Sequence, residues 1–440
     1  MSTINKLDLA QWVIEQSTKN GADEAAVSIT NQRDVEFQYR DNKLETLKES
    51  TQNNLSLDIY FQKRYSSHST NDLRKDSLAK LIEEAVAATK YLSRDEYRNL
   101  PDPKYYHLAT KPELNILDSS YGSIDPANRK KLAAEIERKS MAGSDLIIST
   151  TAGYSDTISE TTQVHSNGFS GEVKGTSFTT GAEVTVRDGE TGRPSDWFYA
   201  TTRHFGDLPK PDEISTEVVK RALQKIGQSK IDSGQYTMIV ENRAGRRLLG
   251  MLAGPMNARS LQQKRSYLDG MLNKKIASEI LTLIDDPFVP KGLGSRYFDG
   301  DGLAASKRVM IENGILKQYY IDNYYGRKLN MEPNSGATSN TLFATGDLSL
   351  DDMITQVEKG ILVNGFIGGN FNSTTGDFSY GIVGQLIEKG KIVKAVNEMN
   401  VSGNGRDFWN QLRAVGNDPY LYSSTRMPSL LFEEIQFSGV

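Results

Sequence analysis

Residues 366–404 read FIGGNFNSTTGDFSYGIVGQLIEKGKIVKAVNEMNVSGN, and they combine turn residues with alternating strand patterns more densely than a connecting segment does. Glycine-containing turns at 368–369, 375–377 and 403–405 supply backbone that can take φ > 0 or approach another chain closely. Between these turns, apolar and polar residues alternate on both sides of 389–390, a pattern that predicts a β-hairpin. The stretch therefore predicts a β-rich unit with a glycine-lined rim.

Two interpretations of this rim remain open. A glycine-lined rim beside a half-buried hairpin could accept an extended peptide as an added strand, because main-chain hydrogen bonds give affinity and alternate pockets give selectivity. The spacing alone favours the second interpretation, in which the same residues are tight turns of an ordinary β-rich core, since glycine-rich turns are common.

Length and composition restrict the class of protein. A chain of 440 residues is long enough for two or three domains, each with its own core. Hydrophobic residues make up 37% and charged residues 25%, as in soluble globular proteins. The net charge of −4 gives no electrostatic attraction to phosphate backbones, so we expect no direct contact with nucleic acid.

Cysteine is absent, which excludes disulfides, thiolate nucleophiles and thiolate metal ligands. The N-terminal residues begin a polar, amphipathic helix without the apolar core of a signal peptide, and no apolar run reaches the length of a membrane span. We therefore expect a cytoplasmic protein that makes no contact with membranes.

The distribution of helical and strand patterns predicts an α+β, multidomain protein with mixed or antiparallel sheets and flanking helices. The predicted units are an N-terminal α+β domain (1–92), a linker (93–123), a central Thr-rich β domain with flanking helices (124–233) and a C-terminal α+β domain (234–440). Residues 7–19 and 125–141 predict helices, and 260–280 predict one longer helix or two.

Histidine is too scarce for a familiar metal or catalytic motif. The four histidines, His68, His107, His165 and His204, never lie within one helical turn of each other, so H-E-x-x-H is absent. Everything after His204 lacks both His and Cys, which makes a zinc site there improbable. We therefore assign no catalytic residue and no metal ligand to this chain.

The sequence contains no complete motif for serine or carboxylate catalysis. Residues 377–381 read DFSYG, one residue away from G-x-S-x-G, and no strand-to-helix elbow follows them. The carboxylate pairs Asp285-Asp286, Asp351-Asp352 and Glu433-Glu434 are expected to be solvated turn or edge residues. An independent carboxylate hydrolase that depends on Asp377 stays open as a third hypothesis.

The order G-G-N, T-G-D-F-S, G-x-L-I-E-x-G and S-G-N across 368–404 resembles the C-terminal domain of the TldD/PmbA family. This family is also called the modulator of DNA gyrase family. Residues 298–316, FDGDGLAASKRVMIENGIL, resemble the hairpin that precedes the same domain end. The likeness extends in order and length over nearly the whole chain.

The resemblance implies a role in a cytoplasmic peptidase built from two kinds of subunit. The TldD kind carries H-E-x-x-x-H on a helix after a strand that 236–240 resembles, and a cysteine near its C-terminus completes a zinc site. Here that helix reads RAGRRLLGMLAGPMNARS over 243–260, with no histidine, and the final strand region has no cysteine. The chain therefore resembles the other kind, PmbA/TldE.

By this resemblance the chain itself needs no cofactor, and zinc is expected in a TldD-like partner subunit. The expected partners are that zinc-bearing subunit and an unfolded or extended peptide substrate. Uncovered edge strands also predict that the isolated chain forms a homodimer. The residues that match the family motifs are predicted to form the wall of the substrate cleft: Gly368, Gly369, Thr375, Gly376, Asp377, Ser379 and Asn404.

The alternative function is a stand-alone regulatory binding protein that acts on DNA gyrase or on a gyrase-directed toxin system. Such a protein would associate directly with gyrase or DNA in a salt-sensitive way.

Overall fold

The computed structural model of the protein describes residues 5–108 and 110–440. Among these residues, the α-helices are α1 (Lys6–Lys19), α2 (Lys75–Thr89), α3 (Pro126–Met141), α4 (Pro211–Leu223), α5 (Arg246–Ala253), α6 (Ala258–Gln262), α7 (Asn323–Leu329), α8 (Leu350–Thr355) and α9 (Gly405–Phe408). The strands are β1 (Glu24–Arg40), β2 (Lys43–Phe61), β3 (Arg64–Thr70), β4 (Ile147–His165), β5 (Ser170–Val186), β6 (Ser195–Thr202), β7 (Gly234–Val240), β8 (Leu283–Asp286), β9 (Arg308–Glu312), β10 (Ile315–Leu316), β11 (Asn340–Phe343), β12 (Lys359–Phe371), β13 (Asp377–Glu388), β14 (Lys391–Asn404), β15 (Leu412–Val415), β16 (Thr425–Arg426) and β17 (Leu430–Ser438). The predicted α+β class is confirmed.

The first sheet is antiparallel and has the order β3-β2-β1-β4-β5-β6. Its first hairpin turns at Asp41 and Asn42, whose φ angles are 49° and 56°. Two consecutive positive φ values suit the right-handed twist of a tight hairpin, and Asp and Asn tolerate them. Helices α1 and α2 pack their apolar sides on β1 and β2, while α3 and α4 pack on β4 and β5.

This sheet runs through both of the predicted N-terminal units. Residues Ala26 to Arg40 of β1 pair antiparallel with Thr151 to His165 of β4, so strands from 1–92 and 124–233 share one hydrogen-bonded ladder. The segment 93–123 between them contains two short 3₁₀ turns and buries Leu100 and Leu114. The domain boundaries themselves stay a prediction.

The helix starts follow from local chemistry. The side chain of Asn5 accepts hydrogen bonds from the backbone N–H groups of Leu7 and Asp8 at the start of α1. Asp125 does the same for Ala127 in α3, where Pro126 occupies the first helical position. Both residues satisfy N–H groups that have no partner inside the helix, which is why these predicted helices begin where they do.

Two sheets lie in the C-terminal part. One has the order β10-β9-β8-β11-β16, in which β11 and β16 are parallel. The other has the order β14-β13-β12-β7-β17-β15, in which β12 and β7 are parallel. Asn400 and Val401 of β14 also pair with Ser438 and Phe437 of β17, which closes β14, β13, β12, β7 and β17 into a ring.

The largest apolar cluster fills this C-terminal part and includes the fully buried Trp409 and Phe432. The predicted helix over 260–280 is wrong, because only α6 (Ala258–Gln262) forms there. The positive φ values of Gly270 and Asn273 end regular structure, and the backbone N–H of Tyr267 donates to the carbonyl of Ser373 at 2.7 Å. Tertiary contacts override the helical pattern.

In the part of the chain that the structure describes, every helix is too short or too polar to cross a membrane.

Candidate functional site

The candidate site is built around α5 and the turn that connects it to β7. Leu248, Leu249, Met251 and Leu252 of this helix are buried in the apolar cluster. The opposite side carries arginines at the start of the helix. Because the helix is amphipathic, its polar side faces away from the core at the position where the resemblance places a zinc-binding helix in the TldD kind of subunit.

The residues present on α5 do not fit a zinc ion. The helix reads RRLLGMLA, and none of these side chains is a preferred zinc ligand. Across residues 5–108 and 110–440, no three His, Asp or Glu side chains come close enough to hold a metal ion. We therefore derive no metal-dependent step for this chain.

A cavity of about 350 Å³ lies beside α5 and joins parts of the chain that are distant in sequence. Strand β6 contributes Asp196 and Trp197, and the turn that follows α4 contributes Lys225. Residues 243, 244 and 247 line it from the turn and from α5, while 364–367 of β12 and Val383 of β13 line the remaining side. The cavity has a charged wall and an apolar wall.

Asp196 organises the charged wall. Its carboxylate accepts from the Nη2 of Arg243 at 3.1 Å and from the backbone N–H of Trp197 at 2.7 Å, and the Nζ of Lys225 lies 3.2 Å away. Burial acts to raise the pKa of Asp196, but the charges of Arg243 and Lys225 outweigh it and the pKa is lowered. Asp196 is therefore ionised at neutral pH. The guanidinium of Arg243 also lies over the Trp197 ring, 4.5 Å from its centroid.

A second buried ion pair lies directly behind the cavity. Glu241 follows β7 and accepts hydrogen bonds from the guanidinium of Arg221 on α4 and, at 3.0 Å, from the side chain of Asn364. Burial acts to raise the pKa of Glu241, yet the hydrogen bonds and charge of Arg221 lower it. The pair links the central helices to the C-terminal ring and fixes the turn that leads into α5.

Arg247 is the cation of the cavity that lacks a carboxylate. It is half-buried, its guanidinium lies 4.5 Å from the centroid of the Tyr380 ring, and its Nη2 is 3.4 Å from the carbonyl oxygen of Gly369. Among the described residues, no Asp or Glu forms an ion pair with it. An arginine held this way presents its remaining N–H groups to the cavity.

Four of the predicted cleft residues form a turn that satisfies its own polar groups. The hydroxyl of Thr375 donates to Asp377 at 2.6 Å, and the side chain of Asn404 donates to Asp377 at 2.8 Å and to the carbonyl of Thr375 at 3.0 Å. The hydrogen bonds from Thr375 and then from Asn404 lower the pKa of the exposed Asp377. Gly376 has φ +90°, and an added Cβ would lie 2.8 Å from Asn404. The arrangement fits a structural turn.

The other three predicted residues lie on neighbouring strands. Gly368 and Gly369 form an irregularity in β12 between Ile367 and Asn370, and the carbonyl oxygen of Gly369 lies 3.4 Å from the Nη2 of Arg247. Ser379 is exposed on β13, where it pairs with Asn370 and Ser402, and neither of these is a base. The structure thus gathers all seven residues on the β12–β13–β14 end of the ring, and it places Gly369 next to Arg247, which lines the cavity. Their role in a cleft stays a prediction.

Sequence reasoning missed the residues that line the charged wall. Asp196 and Trp197 lie 47 and 46 positions before Arg243 and belong to another predicted unit. One feature of the sequence could have indicated this site. Three arginines, at 243, 246 and 247, lie close together at the start of a helix whose other side is rich in leucine.

The expectation for the carboxylate pairs is wrong at Asp285. That side chain is buried on β8, accepts from Arg308 on β9 at 2.6 Å and from the backbone and hydroxyl of Ser339 at 2.6 and 2.7 Å. It is buried because a cation from the adjacent strand compensates its charge. The pairs Asp351-Asp352 and Glu433-Glu434 are exposed, as predicted.

The chain is similar to known proteins along nearly its whole length. Models of one family match three successive parts: PmbA/TldA metallopeptidase domain 1 (25–89), the central domain (120–226) and the C-terminal domain (233–439). Metalloprotease PmbA of Escherichia coli O157:H7 is 25% identical over 452 residues, covering 100% of this chain and 99% of that protein. A metalloprotease PmbA homolog of Buchnera aphidicola subsp. Acyrthosiphon pisum is 27% identical, covering 92% of this chain and 91% of that protein.

Solved structures extend the comparison. A protein of Bacteroides thetaiotaomicron, solved under the provisional name of modulator of DNA gyrase, is 41% identical with a TM-score of 0.97, and the match covers 100% of both chains. TldE from Thermococcus kodakarensis shares the fold with a TM-score of 0.87 at 22% identity, covering 98% of this chain and 100% of that one. Because family models follow one another from residue 25 to residue 439 and the Bacteroides protein matches throughout, the chain belongs to the PmbA/TldD family of metallopeptidases.

Proposed function

We propose that this chain is the metal-free, PmbA/TldE-type subunit of a two-component cytoplasmic peptidase, and that a TldD-like partner subunit supplies the zinc and the hydrolysis. The observation that carries the proposal is the composition of α5 and its flanking turns, where arginines and apolar residues stand at the position of the zinc-binding helix of the TldD kind. Neighbouring carboxylates do not compensate for this, because Asp196 and Glu241 are engaged by arginines.

In the assembled peptidase this chain would help to hold an extended peptide. Strand β7 pairs with β12 only as far as Val363, and in the described residues the part of β12 beyond Asn364 pairs with β13 alone. The other edge of that part runs past the cavity beside α5. An edge without a partner strand can accept a peptide through main-chain hydrogen bonds.

The test is to purify the chain alone and together with a TldD-like subunit from the same genome. We expect the lone chain to contain no stoichiometric zinc and to cleave no unfolded peptide, and we expect the pair to co-purify, contain zinc and cleave. Stoichiometric zinc in the lone chain, or chelator-resistant cleavage that is lost in Asp377→Asn, would contradict the proposal. Size-exclusion chromatography of the lone chain also tests the predicted homodimer.

The second candidate is a stand-alone regulator of DNA gyrase, and it is favoured by the provisional name of the Bacteroides relative. It predicts that the isolated chain binds gyrase or duplex DNA, with an affinity that falls steeply as salt increases. A chain of net charge −4 should show no such binding at physiological salt.

A further inference from the structure

We propose that the cavity beside α5 binds the carboxylate of a peptide, and that Arg247 is the residue that pairs with it. This inference rests on the proposed peptide-handling function and deepens it, because it assigns the chemical group by which the substrate is recognised.

The balance of charge around the cavity favours an anion. Three cations, Lys225, Arg243 and Arg247, line it together with one carboxylate, that of Asp196. Both oxygens of Asp196 are already engaged, Oδ1 by Arg243 and Oδ2 by Lys225. The side chains of Arg243 and Asp196 are only 5% and 7% exposed, so this pair is fixed and does not move to neutralise Arg247. A local excess of positive charge therefore persists in a chain whose net charge is −4.

Arg247 is positioned before any ligand arrives. The Tyr380 ring supports one face of its guanidinium, and the carbonyl of Gly369 lies near its Nη2. Gly369 can lie this close to β13 only because it lacks a side chain, since an added Cβ would lie 2.2 Å from the carbonyl oxygen of Ser379. A planar guanidinium with several free N–H groups matches the geometry of a carboxylate, which it binds through two parallel hydrogen bonds.

The apolar wall indicates that the carboxylate belongs to a peptide and not to a small inorganic anion. Phe366 and Ile367 of β12 and Val383 of β13 line the side opposite the charged wall, and Ile367 is 49% exposed. A volume of about 350 Å³ holds one large side chain together with its carboxylate. The uncovered edge of β12 leads to the same cavity, so a peptide aligned on that edge would bring its carboxyl terminus or an acidic side chain to Arg247.

The test uses the assembled two-subunit complex and three fluorescent peptides of one sequence. The first ends in a free carboxylate, the second in an amide, and the third in an amide with one glutamate near its end. We expect the free acid to bind at least about tenfold more tightly than the amide, as for a hydrogen-bonded ion pair in a half-buried site. Recovery of affinity in the third peptide would identify an acidic side chain as a second source of the same group.

Matched variants assign the effect to one residue. Arg247→Gln should remove the difference between acid and amide, whereas Arg247→Lys should keep part of it. Arg246→Gln changes an exposed neighbour in the same helical turn and should leave the difference intact. Equal affinity of acid and amide for the unmodified complex would overturn the inference and leave the proposed function standing. Loss of the difference to the same extent in Arg246→Gln and Arg247→Gln would overturn it as well. If none of the three peptides binds the complex, the inference and the proposed function both fail.

Discussion

Asp301 and His165 are two titrating residues whose burial has opposite consequences for stability. The carboxylate of Asp301 accepts from the backbone N–H of Asn323 at 3.3 Å and lies near other acidic side chains. Burial, followed by the charge of Asp299, raises its pKa from 3.8 to about 6. His165 packs between Gln163 and Tyr106, and burial lowers its pKa from 6.5 to about 4.

Whether stability rises or falls with pH depends on whether the folded or the unfolded state binds more protons. Between pH 3.8 and about 6 the folded state holds the Asp301 proton more strongly than the unfolded state, so stability falls as pH rises. Between about 4 and 6.5 the unfolded state binds more protons at His165, so stability rises with pH. In the natural protein the two slopes oppose each other.

We expect Asp301→Asn to steepen the rise in stability between pH 4 and 6.5. The amide oxygen can still accept from Asn323, but the cost of ionising a partly buried carboxylate disappears. Each unit by which folding raises the pKa of Asp301 is worth about 1.4 kcal/mol. From acidic to neutral pH, the free energy of unfolding of the variant should therefore increase by roughly 2 to 3 kcal/mol more than that of the natural chain. Urea unfolding at several pH values measures this. His165→Asn should change the slope in the opposite direction, and an unchanged slope in Asp301→Asn would show the prediction to be wrong.

For single residues, the sequence shows which side chains are charged or can bind metals, but it does not show which of them are buried. The absence of cysteine and the spacing of the histidines predict that this chain supplies no metal ligand and no catalytic residue, and this stays a prediction. The burial of Asp285 was not predictable, because it depends on Arg308, which lies 23 positions later and meets it across a strand pair.

Turns that depend on local sequence were predictable at the scale of secondary structure. The dipeptides Asp41-Asn42, Asn313-Gly314 and Lys389-Gly390, each flanked by strand patterns, predict hairpin turns. Hairpins form at all three, and all six residues have positive φ. The full length of long strands was harder to predict than the position of turns. The alternating patterns over 25–30 and 34–39 predict two short strands, whereas β1 is continuous from Glu24 to Arg40. Its polar middle part is hydrogen bonded on both sides, by β2 and β4, and its side chains stay partly exposed.

The two glycines of the β12 irregularity should differ in their tolerance of a side chain. Gly369 has φ +92°, and an added Cβ would lie 2.2 Å from the backbone oxygen of Ser379, whereas Gly368 has φ +59° and open space around it. Both positions disfavour alanine because of their φ, by about 1–2 kcal/mol. Gly369→Ala must in addition separate β12 from β13. We expect it to reduce the free energy of unfolding by at least about 1 kcal/mol more than Gly368→Ala does.

Urea unfolding of the two alanine variants, followed by tryptophan fluorescence, makes this comparison. Gly368→Ala serves as the matched control, because it changes the adjacent residue without a steric contact. Equal losses in the two variants would show that the backbone angle, and not the contact between the strands, sets the cost.

For the molecule as a whole, the shared sheet makes the first two predicted units interdependent. If residues 1–92 are expressed alone, β1 loses β4 along Ala26 to Arg40 and exposes a long strand edge. Such an edge recruits other chains. We expect this fragment to associate or aggregate, and we expect a fragment of residues 1–232, which keeps the whole sheet, to remain monodisperse. Size-exclusion chromatography with light scattering compares them, and a monomeric 1–92 fragment that unfolds cooperatively would refute the expectation.

The candidate site could not be predicted from local sequence patterns either, because it too depends on contacts between residues that are far apart in the chain. Its cavity combines β6, the turn after α4, α5, β12 and β13, which lie in two predicted units. These units contact each other through bonds such as those from Arg203 to the carbonyl of Leu293 at 2.7 Å and from Tyr420 to the carbonyl of Tyr199 at 2.9 Å. No local pattern reports such contacts, whereas the resemblance to a family identified the relevant helix.

The closure of the C-terminal ring has a consequence for biosynthesis. Strand β17 lies between β7 and β15 and also reaches β14, so three strands wait for a segment that is translated about 200 residues after β7. The ring cannot close until residue 438 has left the ribosome. During that interval the nascent chain exposes strand edges that have no partner, so we expect this half of the protein to depend on chaperones during synthesis.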